Sequence, residues 1–74
     1  MENKFIDLKG VRCPMPIFKI NKEMNEISTG QILKAVADDP AFKPDIEAYS
    51  QMKGHEIVSL TQEGKETTVF IKKI

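Results

Sequence analysis

The sequence predicts an α/β fold, a two-layer α/β sandwich in the order βαβαββ, with a mixed four-stranded sheet and two helices on one face. Short runs of alternating apolar and polar residues are separated by two longer runs whose apolar residues recur every three or four positions. A strand, helix and strand in succession predict a parallel pair, and a closing hairpin adds an antiparallel pair. With 74 residues, we expect a single domain over residues 1–74.

The first half of the chain begins with a strand and a helix. Residues 4–8, KFIDL, alternate in polarity and are followed by the turn-forming Gly10, which predicts a strand. From Pro14 the apolar spacing becomes helical and predicts an amphipathic helix that ends at the Ser-Thr-Gly of residues 28–30. The apolar stripe of this helix consists of Ile17, Ile20, Met24 and Ile27, with Lys19, Lys22, Glu23 and Glu26 on its solvent side.

The next run, residues 31–37 or QILKAVA, predicts a central strand because it is compact, apolar and partly β-branched. Its alternation places one set of side chains in the core and keeps Lys34 in water on the uncovered face. The core set is Leu33, Ala35 and Ala37, and the outward set is Ile32, Lys34 and Val36. We therefore expect two β-branched apolar residues to be exposed on that face.

The second half of the chain predicts a helix followed by a hairpin. After a tight turn, helix-start signals and a near-helical apolar spacing predict a second helix at about residues 44–53, ended by Gly54. Residues 55–62 and 66–74 have the composition of strands. The short Glu-Gly-Lys segment at residues 63–65 joins them into a hairpin.

The composition excludes several classes of function. Eleven basic side chains balance eleven acidic ones, so no strong direct binding of nucleic acid is expected. No apolar run approaches the roughly 20 residues of a membrane span and no leader pattern is present, so we expect no membrane contact and a cytoplasmic location. One cysteine and one histidine can form neither an internal disulfide nor a four-ligand structural zinc site. The single thiol is either inert or used alone.

The segment GVRCPMPIFKI, residues 10–20, places that thiol at the start of the first helix. If the helix begins at Pro14, Cys13 is its N-cap, and Pro14 and Pro16 lie in the first turn, where a missing N–H costs nothing. The helix dipole, the free N–H groups of Met15 and Ile17 and the neighbouring Arg12 would then lower the pKa of the thiol. Many unpaired cysteines are packing residues, but cysteine is a poor cap, so this position favours a function.

A single thiol limits the chemistry. The sequence gives no reason to place His55, the only histidine, near Cys13 as a catalytic base, and a two-cysteine redox cycle lacks its second thiol. The remaining role is a thiol that accepts a group from one protein and passes it to another.

These residues carry a resemblance to a known family. The segment DLKGVRCPMPIFKI resembles the Cys-Pro-x-Pro segment of the TusA/SirA-like family of small sulfur-carrier proteins, and VADDPAFKPDI resembles its Asp-Asp-Pro segment. The resemblance extends over nearly the whole chain and implies the same two-layer sandwich. Some family members carry a second cysteine in the second helix, where this chain has Tyr49 and Ser50, so an intramolecular resolving thiol is not expected.

The resemblance implies that Cys13 carries sulfane sulfur as a persulfide, with no cofactor. A cysteine desulfurase or rhodanese-like protein would donate the sulfur, and an acceptor protein would receive it, for example in tRNA 2-thiouridine synthesis, molybdenum-cofactor synthesis or sulfur metabolism. Pro14 and Pro16 would stiffen the turn, and Gly10 would form the bend before it. Arg12 and the helix N-terminus would stabilise the persulfide anion. Asp38, Asp39 and Pro40 match the second segment, where a simple helix or turn cap is the favoured interpretation.

Two other functions remain open at this point. The chain could be a non-enzymatic module that binds a protein or RNA through the uncovered sheet face and the lysines Lys19 and Lys22. It could also be a redox-sensing thiol that forms mixed disulfides.

Overall fold

The computed structural model describes residues 2–74 and has the predicted architecture. Its elements are β1 (Lys4–Leu8), α1 (Met15–Glu26), β2 (Ile32–Ala37), α2 (Phe42–Lys53), β3 (Glu56–Glu63) and β4 (Glu66–Lys72). The strands form one sheet in the order β1-β2-β4-β3. β1 is parallel to β2, whereas β4 is antiparallel to both β2 and β3. The βαβαββ order and the mixed four-stranded sheet are therefore confirmed.

The core lies between the helices and one face of the sheet. The side chains predicted to point inward from β2 are fully buried, and so are Ile20 and Met24 of the α1 stripe. The alternation of β2 and the helical spacing of α1 therefore each identify the face of the element that packs in the core. The buried apolar residues of the core are Leu8, Ile20, Met24, Ile27, Leu33, Ala35, Ala37, Phe42, Ile46, Tyr49, Val69 and Ile71.

Both helix starts differ from the predicted ones. α1 begins at Met15, with Pro14 as its N-cap residue, so Cys13 lies one residue before the cap. The prediction of Cys13 as the N-cap was wrong. α2 begins at Phe42, two residues before the predicted start, because the Asp45 N–H already makes a helical bond to the Ala41 carbonyl at 3.1 Å. Pro44 lies within that first turn, where its missing N–H removes no intrahelical bond.

The hairpin is tighter than the predicted three-residue connection. Glu63 of β3 pairs with Glu66 of β4, which leaves Gly64 and Lys65 as the connecting residues. Gly64 has a positive φ of 61°, as two-residue hairpin turns require. This turn lies at the same edge of the sheet as the segment after β2, because Ala37 pairs with Thr67 of β4.

The uncovered sheet face is less open than predicted at β2. Ile32 and Val36 are half-buried rather than exposed. The Lys34 ammonium lies over two rings, 5.6 Å from the Phe5 centroid and 5.5 Å from the Phe70 centroid. Phe5 and Phe70 flank Lys34 in the register of the three strands. The long lysine side chain therefore covers aromatic surface while its charge remains near water.

No helix among residues 2–74 has both the length and the apolar composition to cross a membrane.

Candidate functional site

The site forms where the parallel strands β1 and β2 end side by side. Leu8 pairs with Ala37 in the last register position, so the segment after β1 and the segment after β2 leave the sheet together. The first segment carries Gly10, Arg12 and Cys13, and the second carries Asp38 and Asp39. Two segments that are distant in sequence are thereby brought into hydrogen-bonding range at the carboxyl ends of the strands.

Asp38 fixes the turn that follows β1. Its Oδ1 accepts a hydrogen bond from the Gly10 N–H at 2.9 Å and another from the Arg12 guanidinium at 3.0 Å. Gly10 has a φ of +83°, a conformation that favours glycine, so the chain reverses direction here without strain. These two hydrogen bonds lower the pKa of the Asp38 carboxyl, and the one from the Gly10 N–H has the larger effect.

Asp39 holds the backbone at the thiol. Its Oδ2 accepts a hydrogen bond from the Cys13 N–H at 2.8 Å. The N-cap residue of α2 is Ala41, and no side chain among residues 2–74 caps that helix. Neither aspartate caps the helix, so that part of the helix-or-turn-cap interpretation is wrong: both side chains bond to the segment that carries Cys13, where Asp38 holds the turn at Gly10. Pro40 lies in the turn after them and is exposed.

The Cys13 thiol is exposed and donates a hydrogen bond to Asp45 of α2, with 3.2 Å between Sγ and Oδ2. This hydrogen bond is the largest of the effects that raise the pKa of the thiol, followed by desolvation and the negative charges of Asp45 and Asp39. The expectation of a lowered pKa was wrong for two reasons. Arg12 is paired with Asp38, and the Met15 N–H bonds to the Arg12 carbonyl at 3.0 Å instead of facing the sulfur.

An apolar groove of about 280 Å³ opens beside the thiol. Several of its side chains are unusually exposed for apolar residues: Phe18 is 59% exposed and Met52 78% exposed. Exposed apolar side chains that cluster around a reactive group are typical of protein-binding surfaces. The groove is lined by Cys13, Pro14, Ile17, Phe18, Asp45, Ala48, Tyr49 and Met52.

The prolines of the Cys-Pro-x-Pro segment have different surroundings. Pro14 precedes α1 and lines the groove, whereas Pro16 is buried inside the first turn of the helix. A buried Pro16 anchors this turn to the core, and Pro14 shapes the surface beside the sulfur. Both lie where a missing backbone N–H removes no helical bond.

His55 contacts other parts of the chain. Its Nδ1 accepts a hydrogen bond from the Ile74 N–H at 3.4 Å, and its ring centroid lies 6.0 Å from that of Tyr49. Burial lowers the pKa of this imidazole, and the charges of Lys73 and Lys53 add to the effect. Among residues 2–74, the hydrogen-bond partner of the thiol is therefore a carboxylate and not the histidine. In the same range, no cluster of three or more His, Cys, Asp or Glu side chains is arranged to hold a metal ion.

Asp45 is the site residue that sequence reasoning missed. It lies 32 positions from Cys13, and no local pattern links the two. The available signal was its place in the first turn of the helix that follows β2. A helix start at the carboxyl end of β2 must lie near the end of the neighbouring parallel strand.

Asp38 gives the structure a dependence on pH that can be tested. Because the folded pKa of this carboxyl is lowered, its contribution to stability is complete above the ordinary aspartate value of 3.8 and is lost as the pH falls through the folded value. We expect Asp38→Asn to lower the midpoint of thermal unfolding at neutral pH. The difference from the wild type should shrink in acid below that ordinary value.

Thermal unfolding of both proteins over a series of pH values measures this difference. Glu47→Gln, an exposed charge change on α2, is the control and should leave the midpoint unchanged at every pH. The difference in unfolding midpoint between wild type and Asp38→Asn could instead stay constant from neutral to strongly acidic pH. In that case the Asp38 charge does not cause the loss of stability.

Together, the fold and the site define a small α/β domain that presents one exposed thiol beside an apolar groove. Residues 4–73 match the family described as Sulfurtransferase TusA. This chain therefore belongs to the TusA family of sulfur carriers.

Individual relatives agree with this assignment. The chain is 42% identical over 71 residues to the putative sulfur carrier protein YrkI of Bacillus subtilis, which covers 96% of this chain and 95% of the relative. It is 35% identical over 68 residues to the sulfur carrier protein TusA of Allochromatium vinosum, covering 92% and 90% of the two chains. A putative sulfur carrier protein of Aquifex aeolicus is longer: the match covers 97% of this chain but 36% of the relative, at 32% identity.

Proposed function

We propose that this chain accepts sulfane sulfur as a persulfide on Cys13 and passes it to an acceptor protein. The observation that carries the proposal is the exposed Cys13 thiol at the edge of the apolar groove, where Cys13 donates hydrogen bonds to Asp39 and Asp45. Membership of the sulfur-carrier family implies a protein that donates the sulfur and one that receives it. The donor is a cysteine desulfurase or a rhodanese-like protein, and the relay operates in the cytoplasm.

The transfer needs few groups from the carrier. The Cys13 thiolate attacks the outer sulfur of the donor persulfide, the donor sulfur–sulfur bond breaks, and the donor cysteine leaves as a thiolate. The transferred sulfur keeps its oxidation state, so no oxidant or reductant is consumed. Thiolate is the attacking form, and the raised pKa of Cys13 keeps most of the thiol protonated in the free carrier. A partner that breaks the hydrogen bond between Cys13 and Asp45 and neutralises the Asp45 charge on docking would increase the thiolate fraction.

The final acceptor can belong to tRNA 2-thiouridine synthesis, to molybdenum-cofactor synthesis or to other sulfur metabolism. The balanced charge of the chain favours delivery to another protein over direct contact with RNA. A redox-sensing role is less well supported, because membership of the sulfur-carrier family favours transfer of sulfur by the thiol.

The proposal is tested by charging and discharging the purified wild-type protein. In one arm the protein is incubated with a cysteine desulfurase and ³⁵S-cysteine, and in the other with a rhodanese and thiosulfate labelled in its sulfane sulfur. We expect the protein to take up label from at least one donor and to release it completely to a reducing thiol. If the protein takes up label from neither class of donor, the proposed function is refuted.

A further inference from the structure

The thiol and the backbone N–H of Cys13 contact carboxylates rather than cations. Asp45 of α2 accepts the thiol hydrogen bond, and Asp39 of the β2–α2 segment accepts the Cys13 N–H. These are the charged groups that act on the thiol. Arg12, the nearest cation in sequence, is paired with Asp38. The site is therefore electrostatically better suited to a neutral sulfur group than to an anionic one.

The hydrogen bond to Asp45 exists in only one state of the carrier. In the unloaded state, Cys13 Sγ carries the proton that it donates to Oδ2 of Asp45. In a persulfide, Sγ is bonded to a second sulfur and has no proton to donate. The Asp45 carboxylate then faces sulfur lone pairs, and the outer sulfur is anionic at neutral pH because persulfides are more acidic than thiols.

We propose that Asp45 biases Cys13 towards its unloaded state, so that the carrier gives up its sulfane sulfur readily. The inference deepens the proposed function, on which it rests, by assigning Asp45 as a positioning residue for the release step. It also replaces the expectation that Arg12 and the helix N-terminus stabilise the loaded form.

The release step balances without an outside oxidant or reductant. An acceptor thiolate attacks the outer sulfur of the Cys13 persulfide and forms a new sulfur–sulfur bond. The bond between that sulfur and Cys13 Sγ breaks, and its electron pair stays on Sγ. The resulting thiolate takes one proton from solvent, equal to the proton that the acceptor thiol had lost. The new S–H then donates to Asp45 and restores the hydrogen bond of the free carrier.

The test compares wild type and Asp45→Asn in one tube. One protein is ¹⁵N-labelled, and both equilibrate with the same pool of glutathione and glutathione persulfide before rapid alkylation. Intact mass spectrometry then gives the loaded fraction of each protein. Each protein has a ratio of loaded to unloaded form. Because both proteins share one pool, the ratio for Asp45→Asn divided by that for wild type does not depend on the concentration or decay of the persulfide.

At neutral pH we expect Asp45→Asn to favour the loaded form by about three- to tenfold, the range for an exposed hydrogen bond to a charged acceptor. The loaded-to-unloaded ratio of Asp45→Asn, divided by that of wild type, should fall towards one as the pH rises through the pKa of the wild-type thiol. Above it the unloaded form is also an anion, and Asp45 then repels both states. A purely structural role of Asp45 would not produce this pH profile.

Two further variants complete the test. Asp45→Ser also removes the charge, is compatible with the first turn of a helix and should shift the equilibrium in the same direction. Glu47→Gln makes the same charge change on α2 about half a turn away and should load like the wild type. Equal loading of the wild type and both folded Asp45 variants would overturn the inference.

The inference and the proposed function can fail separately. Glutathione persulfide loads an accessible thiol without any protein donor, so this equilibrium is measurable even if desulfurases and rhodaneses do not charge Cys13. In that outcome the proposed function falls, while the effect of Asp45 on the Cys13 persulfide is still decided.

Discussion

Cys13→Ser is expected to abolish all uptake of sulfane sulfur while leaving the fold intact. Serine cannot form a persulfide, and the described chain contains no other thiol. The Cys13 side chain is exposed, and a serine hydroxyl can donate the same hydrogen bond to Asp45. The free energy of unfolding should therefore change by no more than about 0.5 kcal/mol.

Sulfur uptake from both donor classes and urea unfolding measure these two effects. A serine variant that still takes up releasable sulfur would remove Cys13 from the mechanism. In cells, the same variant separates the carrier from the alternative of a binding module. If Cys13→Ser retains the cellular function and substitutions at Ile32 or Val36 abolish it, the chain acts through its uncovered sheet face. The sulfur relay would then be rejected.

The second large effect is expected when charge is placed in the apolar groove. Phe18→Asp and Met52→Asp should each lower the rate of loading from a protein donor by about tenfold or more, as for a central apolar contact of an interface. Both side chains are exposed, so the fold should tolerate the change. Loading from glutathione persulfide should stay within about twofold of wild type, because a small donor needs no docking surface.

The apparent second-order rate of loading, measured with each type of donor, checks this prediction. Val58→Asp is the matched control because Val58 is also an exposed apolar residue, 40% accessible, but lies at the bulge of β3. If the protein donor loads both groove variants at the wild-type rate, partners reach Cys13 without using the groove.

The fold was largely predictable because its local patterns agree with its packing. Leu33 alternates into the core on β2, and Ile20 follows the helical stripe of α1, so each pattern identified a buried face. The bare face was predicted less well. Lys34 was expected to lie in water, but two neighbouring strands supply Phe5 and Phe70 on either side of it. That contact depends on strand order, which alternation within β2 does not specify.

The site was predictable in position but not in electrostatics. Helix-start signals placed Cys13 at the exposed beginning of α1, and the structure keeps it there. A lowered pKa was predicted from the helix N-terminus and from Arg12, the neighbour in sequence, whereas tertiary contacts raise it. Arg12 pairs with Asp38, and Asp45 reaches the sulfur from a helix that begins much later in the chain. The direction of a pKa shift depends on such distant groups, which a sequence segment does not show.

The central claim is that Cys13 itself carries the sulfur. The most direct measurement is the intact mass of the protein after incubation with a cysteine desulfurase and cysteine, followed by alkylation and mapping of the peptide that contains Cys13. We expect a gain of one sulfur atom, located on that peptide and removed by reductant. An unchanged mass with both a desulfurase and a rhodanese, or added sulfur located on any other peptide, would contradict the claim.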